Sequence, residues 1–294
     1  MADVRRPRIG VNLPFHGPGA PVTVADAARM AEEIGYDSAW MSDHVVMVEG
    51  ASSPYPFDTE GVMRWDIDHP MPDTLIVLAV AGAVTSRIEL GTCVLIAPMR
   101  NPVVLAKQVA TIDMLTGGRF TLGVGVGWLA EEFAVLGAPF EDRGTRLDEW
   151  MTILRDCWTG RPTAHRYKHW EIPPGVRCYP TPAGTVPILV GGMSKHALRR
   201  AGRDADGWMA FQYTEEIDVD KIRGSVEAFN EEAALAGRPP PTRLAMRAPG
   251  PIEPLAEQLD ELVGAGITEV VVTVDWNDRD AVSESLDLLR RATP

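Results

Sequence analysis

Three short stretches of the sequence hold residues whose types and spacing could do chemistry. Gly191-Gly192-Met193-Ser194 follows the apolar run Pro187–Val190 and precedes a helical pattern at Lys195–Arg203. Adjacent glycines let an anion approach the backbone closely, and the N–H groups and dipole of a helix start attract it. Ser194 can cap that helix or donate directly, and Lys195 and Arg199 share one face of it. The pattern points to phosphate binding; the plainer alternative is a turn with a serine cap. Asp43-His44 lies just beyond the run Ser38–Met41. Neighbours on extended backbone face opposite ways, so one can point into a site and the other to its rim. A histidine there can act as a general acid or base, or orient a substrate, where it is not structural. The third stretch, Gly123-Val124-Gly125-Val126-Gly127, allows a flat ring or a backbone contact to lie against it, or simply lets the chain turn. It is not a dinucleotide fingerprint, because the surrounding layout and the acidic residue ~20 positions on do not fit one.

Other chemistries lack their residues. Asp66, Asp68 and His69 sit in a polar stretch with no second cluster, and His165 and His169 have no nearby carboxylate in the pattern. HExxH is absent, so no metal site is expected. No GxSxG elbow is present. Cys93 falls inside an apolar run and reads as packed rather than nucleophilic. Trp128 and Trp208 fall near strand ends, where core packing explains each, although either could cover a planar cofactor.

The elements that must position these residues alternate. Strands are predicted at 8–13, 38–41, 88–96, 120–126, 187–190, 207–211, 243–247 and 270–274. Helical periodicity follows each, over about 23–34, 73–84, 102–115, 145–158, 195–203, 215–236, 252–263 and 279–291. Eight strand–helix units over this length predict an α/β fold, a (β/α)8 TIM barrel forming a single domain over 1–294. Two Pro-rich insertions, 45–72 and 159–186, interrupt the alternation, the second with room for a β-hairpin. In such a barrel the chemistry sits at the strand C-termini. Those ends are Asn12–His16, Asp43-His44, Cys93–Pro98, Gly123–Trp128, Gly191–Ser194, Ala210–Tyr213, Met246–Ala248 and Asp275–Asn277.

Composition narrows the partners. The 294 residues are 45% hydrophobic and 23% charged, which is globular composition. A formal net charge of −13 with no basic run argues against nucleic acid. An anionic ligand would then need a local device such as a helix N-terminus. Three cysteines without a CxxC suggest a reducing, cytoplasmic setting. Neither a signal-type apolar stretch nor a run of ~18 apolar residues is seen, so no membrane association is expected.

Taken in order, SAWMSDH (38–44), LGTCVLIAPMRNPVVLAKQVATIDMLTGGRFTLGVGVGW (90–128), EEFAVLGAPFEDRGTRLDEW (131–150) and ILVGGMSKHALRRAGRDADGW (188–208) resemble the luciferase-like monooxygenase superfamily. They are most similar to its coenzyme F420-dependent oxidoreductase branch. The resemblance covers most of residues 8–210. It implies a barrel that holds an isoalloxazine-type ring at its mouth, backed by a non-proline cis peptide at Cys93-Val94. It also implies phosphate contacts from the Gly191, Gly192, Met193 and Ser194 loop and ring contacts from Asp43, Gly125, Val126 and Gly127. His44 matches an active-site histidine. Where some members carry Glu after the strand-four glycines this chain has Trp128, so no carboxylate is expected to assist there. The implied activity is hydride transfer between the deazaflavin F420 and a small organic substrate, in a homodimer. Two alternatives stand beside it: an FMN-dependent monooxygenase, and a non-catalytic carrier of flavin or deazaflavin.

Overall fold

In the computed structural model, which describes residues 6–15, 22–239 and 242–293, the strands form one closed parallel barrel. Its segments are β1 (Arg8–Asn12), β2 (Ser38–Met41), β3 (Glu89–Thr92), β4 (Leu95–Ile96), β5 (Phe120–Gly125), then β8 (Ile188–Gly191), β9 (Gly207–Phe211), β10 (Arg243–Ala248) and β11 (Glu269–Val272). The order is β3-β2-β1-β11-β10-β9-β8-β5-β4, and pairing of β3 with β5 closes the ring. β3 and β4 are two pieces of one stave, so the barrel has the eight staves of a (β/α)8 fold. The predicted strand 88–96 is therefore continuous in sequence but broken in space, at Cys93-Val94.

The helices are α1 (Val24–Ile34), α2 (Thr74–Val84), α3 (Pro102–Thr116), α4 (Ala130–Val135), α5 (Arg143–Cys157), α6 (Lys195–Asp204), α7 (Val219–Leu235), α8 (Ile252–Gly264) and α9 (Arg279–Arg291). Their ends follow local chemistry. Thr23 caps α1 by accepting from the Asp26 N–H, and Asn101 caps α3 ahead of Pro102. α7 begins at Val219 because the predicted start at 215 is a 3-10 turn, Thr214–Glu216. α4 has no counterpart in the sequence reading. The second insertion does hold a hairpin, β6 (His165–Arg166) against β7 (Glu171–Ile172). No helix among the described residues is long and apolar enough to cross a membrane.

Alternation along the staves sends every second residue into the lumen. Trp40, Leu189, Met209, Ala245 and Val271 fill its middle, with Cys93 and Val94 packed among them. The N-terminal end is closed by ion pairs: Arg243 Nη2 lies 2.9 Å from Glu89 Oε2 and 3.0 Å from Glu269 Oε2. The opposite end, where the functional loops emerge, is covered by the 45–72 insertion.

Candidate active site

The floor of the barrel mouth is the break in the third stave. The Cys93-Val94 peptide is cis. Val94 turns into space that glycines leave open. A Cβ on Gly125 would lie 2.7 Å from Val94 Cγ2, and one on Gly191 2.8 Å from Val94 Cγ1. These two glycines thus serve first to seat Val94, which becomes the surface presented there. The Cys93 thiol lies 3.4 Å from Asn12 Oδ1 and 3.5 Å from Ser42 Oγ. Burial pushes its pKa up, so the thiol is a packed polar group and not a nucleophile.

Asp43 stands behind this floor. Its carboxylate accepts from Arg100 Nη1 and Nη2, each at 2.8 Å, from the Ile96 N–H at 2.9 Å and from Thr74 Oγ1 at 3.1 Å. Four protein donors occupy it, so it braces the broken stave against α2 and the turn that leads into α3. Ser42, one residue earlier, is the side chain that turns toward the lumen and Cys93.

His44 is met by a carboxylate the sequence reading did not assign. Glu132, on α4, is fully buried, and its Oε2 lies 2.8 Å from His44 Nδ1. Its Oε1 accepts the N–H groups of Val45 at 2.6 Å and Val46 at 3.3 Å. With the carboxylate accepting on both oxygens, Nδ1 is the donor and Nε2 is the nitrogen left for a ligand. Trp128 stands directly after the strand-four glycines, and the carboxylate that reaches His44 comes from four residues further on. In the sequence only the apolar pair Leu129 and Phe133, four apart, hints at a helical turn here, and six residues are too few for that spacing to stand out as periodicity. The adjacent Glu131 holds the same loop, held down to about 2 by hydrogen bonds from Ser53 and then Ser52.

The insertion folds over the mouth through aromatic contacts. Phe57 packs on Phe211 with centroids 4.3 Å apart, and Tyr55 Oη lies 3.3 Å from Tyr213 Oη. Tyr55 also touches Trp65 at 5.0 Å and Trp128 at 5.3 Å, and Trp128 lies edge-on to His44 at 5.8 Å. Trp128 is therefore part of a roof beside His44. An open cleft of ≈ 390 Å³ runs from His44 between the two ends of the insertion, past Met47, Ile67, His69 and Met71. Asp66, Asp68, His69, His165 and His169 form no metal-binding group among the described residues. His16 lies outside them.

The loop 191–194 is built to present backbone donors. Gly192 has φ +112°, a left-handed conformation open to glycine. Its N–H bonds the Met209 carbonyl at 3.1 Å and its carbonyl accepts Trp208 Nε1 at 2.6 Å. The fully buried Trp208 thus anchors the loop from behind and covers no ligand. Ser194 Oγ caps α6 by accepting the Ala197 N–H at 3.2 Å. Its own O–H and the first-turn N–H groups of Lys195 and His196 remain to point outward. Ser194, Lys195 and His196 are exposed. Gly127 (φ +78°) takes another conformation that favours glycine, with Ile96 and Phe133 leaving no room for a Cβ. Val126 packs against the core beside it.

Comparison with known proteins places this fold in a family. A family model described as luciferase-like monooxygenase matches residues 8–285. The chain belongs to that family. Among curated relatives, a protein of Mycobacterium tuberculosis (strain ATCC 25618 / H37Rv) described as uncharacterized is 35% identical over 206 residues, 70% of each chain. An F420-dependent glucose-6-phosphate dehydrogenase of Nocardia farcinica is 34% identical over 224 residues, 74% of this chain and 61% of that protein. Among solved structures, an F420-dependent secondary alcohol dehydrogenase in complex with an F420-acetone adduct superposes with a TM-score of 0.78. It is 18% identical and covers 97% of this chain and 100% of its own. The oxygenating constituent of 3,6-diketocamphane monooxygenase from Pseudomonas putida, in complex with FMN, gives 0.75 at 18% identity, covering 97% of each chain. At these identities the two structures share the luciferase-like fold with this chain.

Proposed function

We propose that this luciferase-like protein is a coenzyme F420-dependent oxidoreductase, acting in the cytoplasm as a single barrel domain over 1–294. Curated F420-dependent relatives above 30% identity support the deazaflavin over FMN. The structural observation that carries the site is the seating of Val94 between Gly125 and Gly191, beside a loop that leaves backbone donors free. The residues fit the group: Val94 offers a flat apolar backing, and the Met193–Ser194 backbone with the α6 N-terminus fits a phosphate. When bound, F420 would supply hydride chemistry at its C5 carbon; the protein supplies orientation and electrostatics.

The chain's own residues do the rest. Glu132 holds the His44 ring and leaves Nε2 to give or take a proton at a substrate oxygen. Tyr55, Trp65 and Trp128 exclude water beside it, and the cleft past Met47 and Met71 gives a small organic substrate access. A homodimer is part of the proposal, because the packed helices α2 and α3 leave Ile76, Val104 and Leu115 exposed at 67%, 53% and 68%. The test is a fluorescence titration of the purified chain with F420 and with FMN, followed by a screen of alcohols, ketones and enoyl compounds for change at the F420 absorbance. Tight FMN binding without F420 binding would overturn the cofactor assignment.

A further inference from the structure

Among the described residues, no carboxylate neutralises the buried cation Arg247. It sits on β10, two residues beyond the lumen-filling Ala245, and alternation sends its side chain into the barrel mouth. Only 7% of it is exposed. Nη1 donates to Thr273 Oγ1 at 2.9 Å, and Nε is buried with no hydrogen-bond partner among the described residues. Among the described residues no carboxylate lies within 4.0 Å of the guanidinium, whereas Arg243, four residues earlier on the same stave, has two. Its polar surroundings are the Cys93 thiol on the floor and the Tyr55 and Tyr213 hydroxyls of the roof. Burial lowers its pKa, opposed by those same neighbours. An uncompensated buried charge is costly, and arginine remains charged at neutral pH, so folding alone gives no reason to keep it here.

We infer that Arg247 is the anion-recognition group of the barrel mouth, receiving an anionic oxygen of the bound ligand through its free guanidinium N–H groups. This rests on the reading of the mouth as the ligand site and not on which flavin fills it. The planar fork suits a carboxylate or the two-atom edge of a delocalised anion. Two sources share that chemistry: a carboxylate or enolate-like oxygen on the substrate, or a ring oxygen that gains negative charge when the cofactor is reduced. In a chain of net charge −13, Arg247 is a second local device for an anion, set apart from the loop at Gly191–Ser194. It lies inside the barrel, where an apolar or cationic substrate would leave it unpaired.

The experiment compares the wild-type protein with Arg247→Met and Arg247→Lys. Each is titrated with oxidised F420, with reduced F420, and with benzoate in the presence of oxidised F420. Thermal melts without ligand run beside them. The expected result is a tenfold or greater loss of affinity in Arg247→Met for reduced F420 or for benzoate. Arg247→Lys should recover part of it, and the ligand-free Arg247→Met should melt no lower than wild type. Selective loss for reduced F420 assigns the oxygen to the ring; loss confined to benzoate assigns it to the substrate. Losses below tenfold for both probes overturn the inference, as does a ligand-free Arg247→Met that melts below wild type, which makes Arg247 a structural residue. A wild-type chain that binds FMN and not F420 instead overturns the proposed cofactor, and the same Arg247 comparison is then made with oxidised and reduced FMN.

Discussion

Glu132 Oε2 lies 2.8 Å from His44 Nδ1 while its other oxygen accepts two backbone N–H groups of the loop that follows His44. One buried carboxylate thus sets both the ring's proton position and the path of the chain beyond it. In Glu132→Gln the amide can still accept the backbone N–H groups, but its NH2 would face Nδ1 and favour the opposite tautomer. We expect the proton to move to Nε2 in the resting protein, visible in the ¹⁵N shifts of the imidazole. Turnover should fall ~10²-fold, with cofactor affinity changed less than threefold. An unchanged ¹⁵N pattern would show that Glu132 does not select the tautomer. His44→Ala should lose ~10²–10⁴-fold in turnover and also keep the cofactor.

The floor gives a steric prediction. Gly191→Ala would place a methyl 2.8 Å from Val94 Cγ1, and overpacking of this kind costs about 1–3 kcal/mol. The variant should melt lower and bind F420 less well. Adding Val94→Ala removes the clash, so the double variant should be more stable than the sum of the singles, with a coupling of about 1 kcal/mol or more by urea denaturation. Strict additivity would mean that Gly191 and Val94 do not share this space.

Much of this site was legible in the residues, and the parts that were not share a cause. Strand–helix alternation reaches the barrel because period-2 and period-3.6 patterns are local properties of the chain. Gly191-Gly192 and the Ser194 cap were readable for the same reason. Glu132 was not, because α4 is too short to show periodicity and its partner His44 is 88 positions away. Arg247 lies in the strand end Met246–Ala248, but nothing local distinguishes it from Arg243, whose two carboxylate partners come from other staves. Asp43 invited a ligand role by type and position; its four donors come from Thr74, Ile96 and Arg100, all distant in sequence. The break in the third stave could be placed only through the family resemblance, since Ile88–Ile96 reads as one strand.

Acid should release a second set of carboxylate contacts. Burial raises the Glu32 pKa, but the N–H groups of Ile88, Arg87 and Ser86 outweigh it and bring the value down to about 2 from 4.5. A folded-state pKa below the unfolded one means stabilisation that is complete above about 4.5 and lost as pH falls through about 2. Glu32→Gln should therefore lower the melting temperature at pH 7 by about 2 °C, for a largely solvent-screened contribution on the order of 1 kcal/mol. The gap between variant and wild type should shrink below pH 4.5 and close near pH 2. A gap that is the same at pH 7 and pH 3 would mean that the carboxylate charge is not what anchors the Ser86–Ile88 turn.

The apolar face on α2 and α3 offers a test of assembly. α2 has apolar residues on nearly all sides, TLIVLAVAGAV, which a helix on the outside of a barrel needs only if its outer face is also covered. Ile76 and Leu115 are the most exposed of its large apolar residues and those of α3, at 67% and 68%. Burying such a face between two copies would remove both side chains from water, at ~25 cal/mol per Å² of apolar area. In sedimentation equilibrium at micromolar concentration the wild-type chain should weigh twice its monomer mass. Ile76→Glu/Leu115→Glu should shift it to monomer while keeping F420 affinity, because neither residue lines the barrel mouth. A wild-type chain that sediments as a monomer at these concentrations would remove the homodimer from the proposal.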